Sequence, residues 1–581
     1  VTINKCIRQR LVPDSADIPA ADSLHPLLKR IYAARHAGDA ELESGLADLH
    51  PPDSLKGLDA AVALLETAVC QQQRVLVVGD FDADGATSSA LVVAALRDMG
   101  AAQVDYLVPD RFRFGYGLTP EIVDVALTRS PDLLVTVDNG ISSIEGVERA
   151  RESGLRVLVT DHHLPGDKLP AADAIVNPNQ PGDTFPSKAL AGVGVAFYLM
   201  MALRSRLRET DWFAGRGMTE PNLATYLDLV ALGTVADVVP LDRNNRLLVR
   251  QGLRRIRGGH CRPGIRALLS VAGRNPSRIV ASDFGFAVGP RLNAAGRLDD
   301  MSLGIECLLT DSQARADTLA QQLDALNRER REIEAEMKAG AVQYLDAMNL
   351  DSDNLPVGFC LYDADWHQGV IGILASRVKE QFHRPVIVFA DAGEGEIKGS
   401  ARSIPGLHIR DALDAVAARH PGLLNKFGGH AMAAGLSLDA ARLDDFRRAF
   451  LSELETLLDE NALTGVLETD GALHPDDFTL ELSELLRNAG PWGQGFPEPL
   501  FDGVFTVVSS RVVGEHHLKL SLRPQGGGAA VGAIAFGQVE RYVPAVGERV
   551  RVVYRLDTNE YRGMLSLQLV VEWMEAGRVH G

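Results

Sequence analysis

The chain has 581 residues, several times the ~100–200 of an ordinary domain, so three or four domains are expected. A 46% hydrophobic and 23% charged composition excludes a wholly disordered polymer, and a net charge of −18 excludes a histone-like coat for nucleic acid but not a local basic groove. Five scattered cysteines without a C-x-x-C pair exclude a zinc ribbon or a disulfide framework and point to a reducing cytoplasm.

Lys5, Arg8 and Arg10 precede no apolar h-region, so no signal peptide is expected. The longest apolar run, Val193 to Leu203, is too short for a bilayer, and no membrane partner is expected. Residues 1–70 are read as an N-terminal segment. From Arg74, buried-strand runs alternate with helical stretches. The strands are 75–78, 104–108, 133–137 and 157–160; the helices are 86–99, 120–128 and 143–153. Strands apolar on both faces and separated by helices predict a parallel sheet covered on both sides.

Helical sequence dominates 188–269, and 312–349 reads as one long connecting helix without a lasting heptad. A second α/β pattern follows: strands at 358–362, 385–389 and 397–402, helices at 370–381 and 409–418, and a Gly-rich bend at Gly428-Gly429. Five runs near 505–508, 518–522, 530–536, 549–556 and 564–571 predict a small barrel, of which the oligonucleotide-binding fold is the commonest five-stranded kind.

The chemistry gathers where the first strands end. Asp80-Phe-Asp82-Ala-Asp84-Gly85 follows one strand and opens a helix. Three alternate carboxylates repel unless cations neutralise them, and no Glu follows at EF-hand spacing. Asp138-Asn-Gly and Asp161-His162-His163 end the next two strands, so the three clusters should meet in the crevice at the carboxyl edge of the sheet. Asp237 lies inside an apolar run and needs a partner. Oxygen ligands with one or two imidazoles favour Mn²⁺ or Mg²⁺, and a carboxylate bridging two such ions suits phosphodiester hydrolysis.

Between Leu241 and Arg297 there are twelve arginines against Asp242 and Asp283, a window of +10 that reads as a groove tracking a phosphate backbone. Phe112, Phe114 and Tyr116 could form a stacking platform, as could Trp366 and His367, although core packing competes for each.

In their order, the DxDxDG, DNG and DHH strand ends resemble the DHH phosphoesterase superfamily, and Lys426-Phe-Gly-Gly-His430 resembles the Gly-Gly-His motif of its associated domain. Further segments are similar to the RecJ branch of that superfamily: 110–117, Gly289-Pro-Arg291-Leu-Asn293-Ala-Ala-Gly-Arg297, Trp366-His367-x-Gly369 and Gly399-Ser400-Ala-Arg402-Ser403. Pro491-Trp492-Gly-Gln-Gly-Phe496-Pro resembles a segment of that branch and departs from it at Trp492 and Phe496.

The resemblance implies a metal-dependent, single-strand-specific 5′→3′ DNA exonuclease that releases 5′-mononucleotides in recombination and repair. It implies two divalent ions, Mn²⁺ or Mg²⁺, on Asp82, Asp84, Asp138, His162 and Asp237, with Asp138 bridging and Asp80 ligating directly or through water. His163 and Asp161 become the catalytic candidates, with His163 behind the ligands or touching the scissile phosphate. Arg111, Arg291, Arg297, Ser400, Arg402 and His430 become the phosphate contacts. The expected division is 71–310 for the DHH domain with its arginine-rich part, 311–350 for the long helix, 351–462 for the DHH-associated domain and 463–581 for the barrel. A cytoplasmic monomer is expected, with single-strand-binding protein and a RecQ-type helicase as possible partners. The rivals are a phosphodiesterase for short RNA or cyclic dinucleotides and a non-catalytic replication scaffold.

Overall fold

The computed structural model describes residues 5–12, 24–38, 45–110, 114, 116–347, 355–459, 462–561 and 563–577. Arg111, Phe112 and Gly115 lie outside the described residues. The expected parallel sheet is present, with strands in the order Val104–Leu107, Val75–Gly79, Leu133–Val137, Arg156–Thr160 and Ala174–Val176. The fifth strand, Ala174–Val176, is three residues long, too short for a periodicity argument to register. Three neighbouring strands are apolar and almost wholly buried, which fits a sheet covered on both faces. Helices Ala83–Asp98 and Gly192–Glu209 cover one face, and their inward residues share a core with Val75, Val77 and Val135. Leu28, Ile31, Leu58 and Val62 from the N-terminal segment are buried in that same core.

The long helix runs Gln313–Ala347. Its first half buries Ala316, Leu319 and Leu323 in the core of the parallel-sheet domain, while Met337, Ala341 and Leu345 pack under the second sheet. A connector with an apolar anchor at each end fixes the two domains relative to one another.

The second sheet is mixed, in the order Lys426–Gly429, Ala433–Asp439, Glu396–Arg402, Val386–Gly393, Phe359–Tyr362; only the last pair is parallel. The Gly-rich bend expected at Gly428-Gly429 is therefore the end of an edge strand. Trp366 is buried in the core beneath this sheet, which settles its role in favour of packing. Phe114 likewise packs against the parallel-sheet core.

The C-terminal strands Phe501–Val513, His517–Pro524, Val531–Ala535, Arg549–Tyr561 and Met564–Ala576 close into a barrel. It is seated on the rest of the molecule. Trp492 and Phe496 stack at 5.1 Å, each also faces Tyr32, and the Arg246 guanidinium lies 4.2 Å over Phe496. Arg35 forms a two-pronged ion pair with Asp470 at 2.7 and 2.9 Å, with both side chains almost fully buried. A pairing with no local sequence signal joins Lys5–Gln9 in parallel to Gly465–Thr469.

Candidate metal centre

The three acidic clusters do converge. Asp82 caps helix Ala83–Asp98, its Oδ1 accepting from the Asp84 and Gly85 amides at 2.9 and 3.0 Å. The first amide of that helix donates to Asn293 Oδ1 at 2.7 Å, so the Gly-Pro-Arg-Leu-Asn segment braces the acidic loop. Asp84 is buried and accepts from the Gly192 and Val193 amides at 2.6 and 3.0 Å, at the start of helix Gly192–Glu209.

Asp138 has φ +60°, a conformation that L-residues rarely adopt and that here aims its carboxylate into the cluster. Its neighbour Asn139 donates to the Val78 and Val137 carbonyls and ties the two strand ends together. Two glycines make room. A Cβ on Gly192 would come within 2.6 Å of Asp138, and one on Gly233 would lie 2.3 Å from Thr87 Oγ1 and 2.7 Å from Asp84 Oδ1.

The candidate ligand atoms fall into three overlapping triads, Asp80, Asp82 and Asp138, then Asp138, His162 and His163, then Asp84, His162 and Asp237, each set within 4.8 Å. Asp138 Oδ1 and His162 Nε2 are 3.1 Å apart and buried, yet neither makes a hydrogen bond. Burial and the nearby His163 push His162 down to about 3, so the imidazole is neutral, the form that binds metal. In the metal-free protein, burial and repulsion by the neighbouring acids hold Asp84 and Asp138 well above the ordinary carboxylate range, and burial with Asp82 pushes Asp237 up to about 7. Such repulsion is what bound cations relieve. Two unpartnered buried ligand atoms in an oxygen-rich donor set fit Mn²⁺ or Mg²⁺.

Asp161 plays a different part from its neighbours. Its oxygens accept from the His162, His163 and Ile141 amides and from His163 Nδ1 at 2.7 Å. It thus orients His163 and does not face the cluster. Burial would lower His163, but the Asp161 hydrogen bond and charge outweigh it and raise the imidazole to about 9. Tyr116 sets its ring edge against His163 with its hydroxyl 3.3 Å from that ring. From the second domain, His430 stacks on His163.

Residues 74–234 match the DHH family N-terminal domain, 353–456 the DHHA1 domain and 469–573 the RecJ OB domain. The chain is 57% identical over 560 residues to the single-stranded-DNA-specific exonuclease RecJ of Dickeya dadantii, covering 96% of this chain and 97% of that protein. The chain belongs to the RecJ family. The Escherichia coli member is 55% identical over 568 residues, covering 97% of this chain and 98% of that one. The crystal structure of Thermus thermophilus RecJ with Mn²⁺ superposes with a TM-score of 0.81 at 32% identity, covering 99% of this chain and 80% of that one.

The remaining residues expected to contact phosphate divide. Ser400 and Arg402 lie together, Arg402 Nη1 donating to Ser400 Oγ at 3.0 Å, and both face the start of helix Ile371–Phe382, where a Cβ on Gly372 would come within 2.9 Å of each. Arg291 is engaged by Asp324 at 2.9 Å and by the Ala287 carbonyl, which makes it a tie to the long helix. Arg297 donates to the Gly369 carbonyl at 2.9 Å and so joins the two α/β domains.

The arginine window thins in the same way. Arg262 pairs with Asp228, Arg274 with Asp283, Arg278 with Glu484, and Arg257 bonds the Ile279 carbonyl. Much of the +10 therefore holds helices together instead of lining a groove. Asn293, Gly192 and Gly233 were invisible as site residues because each acts through a contact with a residue distant in sequence.

Proposed function

We propose that this chain is a divalent-metal-dependent exonuclease that removes mononucleotides from the 5′ end of single-stranded DNA and serves recombination and repair. The carrying observation is the set of overlapping Asp/His triads that share Asp138 and His162, in a chain of the RecJ family. The Mn²⁺- and Mg²⁺-bound Thermus thermophilus RecJ structures support the same ions here. Bound cations supply positive charge for the phosphoryl oxygens and an acidified water.

The rest falls to side chains. Asp82, Asp84, Asp138, His162 and Asp237 hold the ions, and the placement of Asp80 beside Asp82 and Asp138 supports a direct ligand. His163, oriented by Asp161, holds the scissile phosphate, and His430 closes the site from the second domain. Ser400, Arg402 and Arg111 are the proposed phosphate contacts, the first two side by side at the start of helix Ile371–Phe382. We assign 71–310 to the catalytic domain, 311–350 to the connector, 351–462 to the phosphate-holding domain and 463–581 to a barrel that grips the strand. Single-strand-binding protein and a RecQ-type helicase are the proposed partners of a cytoplasmic monomer; no helix among the described residues is long and apolar enough to cross a membrane.

Against a phosphodiesterase of short RNA or cyclic dinucleotides stands the barrel, and against a non-catalytic scaffold stands the intact set of ligands. Digestion of strands labelled at either end, with and without Mn²⁺, tests the reading. Mn²⁺-dependent mononucleotide release from the 5′ label alone is expected; release from the 3′ label, or none, overturns it.

A further inference from the structure

The metal centre opens on one side into a shallow, open cavity of about 580 Å³. Two of the ligand motifs lead directly into its walls. Leu164 follows Asp161-His162-His163 and is 59% exposed, while Val239 and Pro240 follow Asp237 and line the cavity with it. His162 and His163 form the end of the lining at the metal centre, with His430 beside them from the second domain.

His162 and His163 form the end of the cavity next to the metal centre, where the scissile phosphate sits; beyond them its polar groups offer no second anion site. Lys188 spends its ammonium on the Pro178 carbonyl, the Asp183 carbonyl and Asp183 Oδ1, at 2.6, 3.0 and 2.7 Å. Asp242 accepts from Ser187 Oγ and the Asn245 amide, and its charge repels an anion. Hydrocarbon and imidazole surface remains, which suits the face of a base. Ser400 and Arg402 do not line this cavity.

The geometry points to a nucleobase seat for the second nucleotide of the strand, the one whose 5′-phosphate is attacked. Its walls are Leu164, Val239, Pro240 and His430. This inference rests on the exonuclease reading above and deepens it. A base paired in a duplex cannot enter such a seat, so occupancy itself selects an unpaired strand at the scissile bond.

The test uses the full chain and short 5′-phosphorylated single strands, each with one abasic residue moved from the first to the fourth position. An abasic second nucleotide is expected to raise KM about tenfold, more than at the other positions. Leu164→Ala, at an exposed site that folding does not need, is expected to raise KM on the intact strand about fivefold and to shrink the abasic penalty at position two. The Mn²⁺ concentration for half-maximal rate should not move. A penalty centred elsewhere, additive effects of variant and abasic site, or a shifted Mn²⁺ requirement would each overturn the seat. If the wild-type protein leaves intact single strands undigested, the exonuclease reading fails first and the seat falls with it.

Discussion

The His430 ring lies 20° from parallel to the His163 ring, with 5.8 Å between centroids. One residue comes from the edge of the mixed sheet and the other from the end of a parallel strand, so the second domain reaches the rim of the metal centre through this ring contact. His430 is itself exposed and contributes little to stability. His430→Ala should therefore lower kcat/KM on a short 5′-phosphorylated strand roughly tenfold to a hundredfold while leaving the thermal transition in place. An unchanged rate would remove His430 from the site.

Asp138→Asn separates chemistry from folding, because asparagine tolerates φ +60°. Cleavage should fall by more than the ~10–100-fold typical for groups that only support a metal ligand. Relief of repulsion among buried acids should leave the melting temperature in EDTA equal to or above that of the unaltered protein. A lower melting temperature would mean that the carboxylate serves the fold.

Gly192→Ala and Gly233→Ala place a methyl group within 2.7 Å of Asp138 and Asp84 respectively. Overpacking of this kind costs about 1–3 kcal/mol, and the displaced ligands should cost activity in both variants. Denaturant melts and Mn²⁺ titrations read the two effects apart.

Val238 has φ +63° and is 63% exposed, an awkward conformation for a β-branched residue with no compensating burial. Val238→Gly should stabilise the protein by about 0.5–1 kcal/mol net, since released strain exceeds the added chain entropy. Denaturant melts check the sign.

Asp470→Ala strands Arg35 in a buried setting and should cost about 3–5 kcal/mol. Limited proteolysis should then cut first between the barrel and the mixed-sheet domain.

What was legible in the residues follows a physical rule. Asp80, Asp138 and Asp161 stood out because each ends an apolar strand, where a carboxylate has no structural reason to be, and Asp237 because it interrupts an apolar run. The long helix announced itself by length and polarity, and its start at Gln313 falls within one residue of expectation, while the expected end at 349 lies outside the described residues. Charge counting could not show which arginines of the window are engaged, since the acids beside Arg291 and Arg278 lie on other elements, at Asp324 and Glu484. Asp161 sat with the other acids in sequence, yet its role depended on which way its oxygens turned. No local pattern could reveal that.

The pairing of Lys5–Gln9 with Gly465–Thr469 has a consequence for biosynthesis. At ~5–20 residues per second, the partner strand leaves the ribosome about 20–90 s after the first one. Through that interval the amino-terminal strand presents unsatisfied amides and carbonyls to every other nascent chain nearby. Cys6 lies within it, exposed even after docking, so the same interval is also when its thiol is most open to oxidation. Cells that overproduce the protein should accumulate soluble product more readily at low temperature or with a holding chaperone, because a strand made late in synthesis secures one made early.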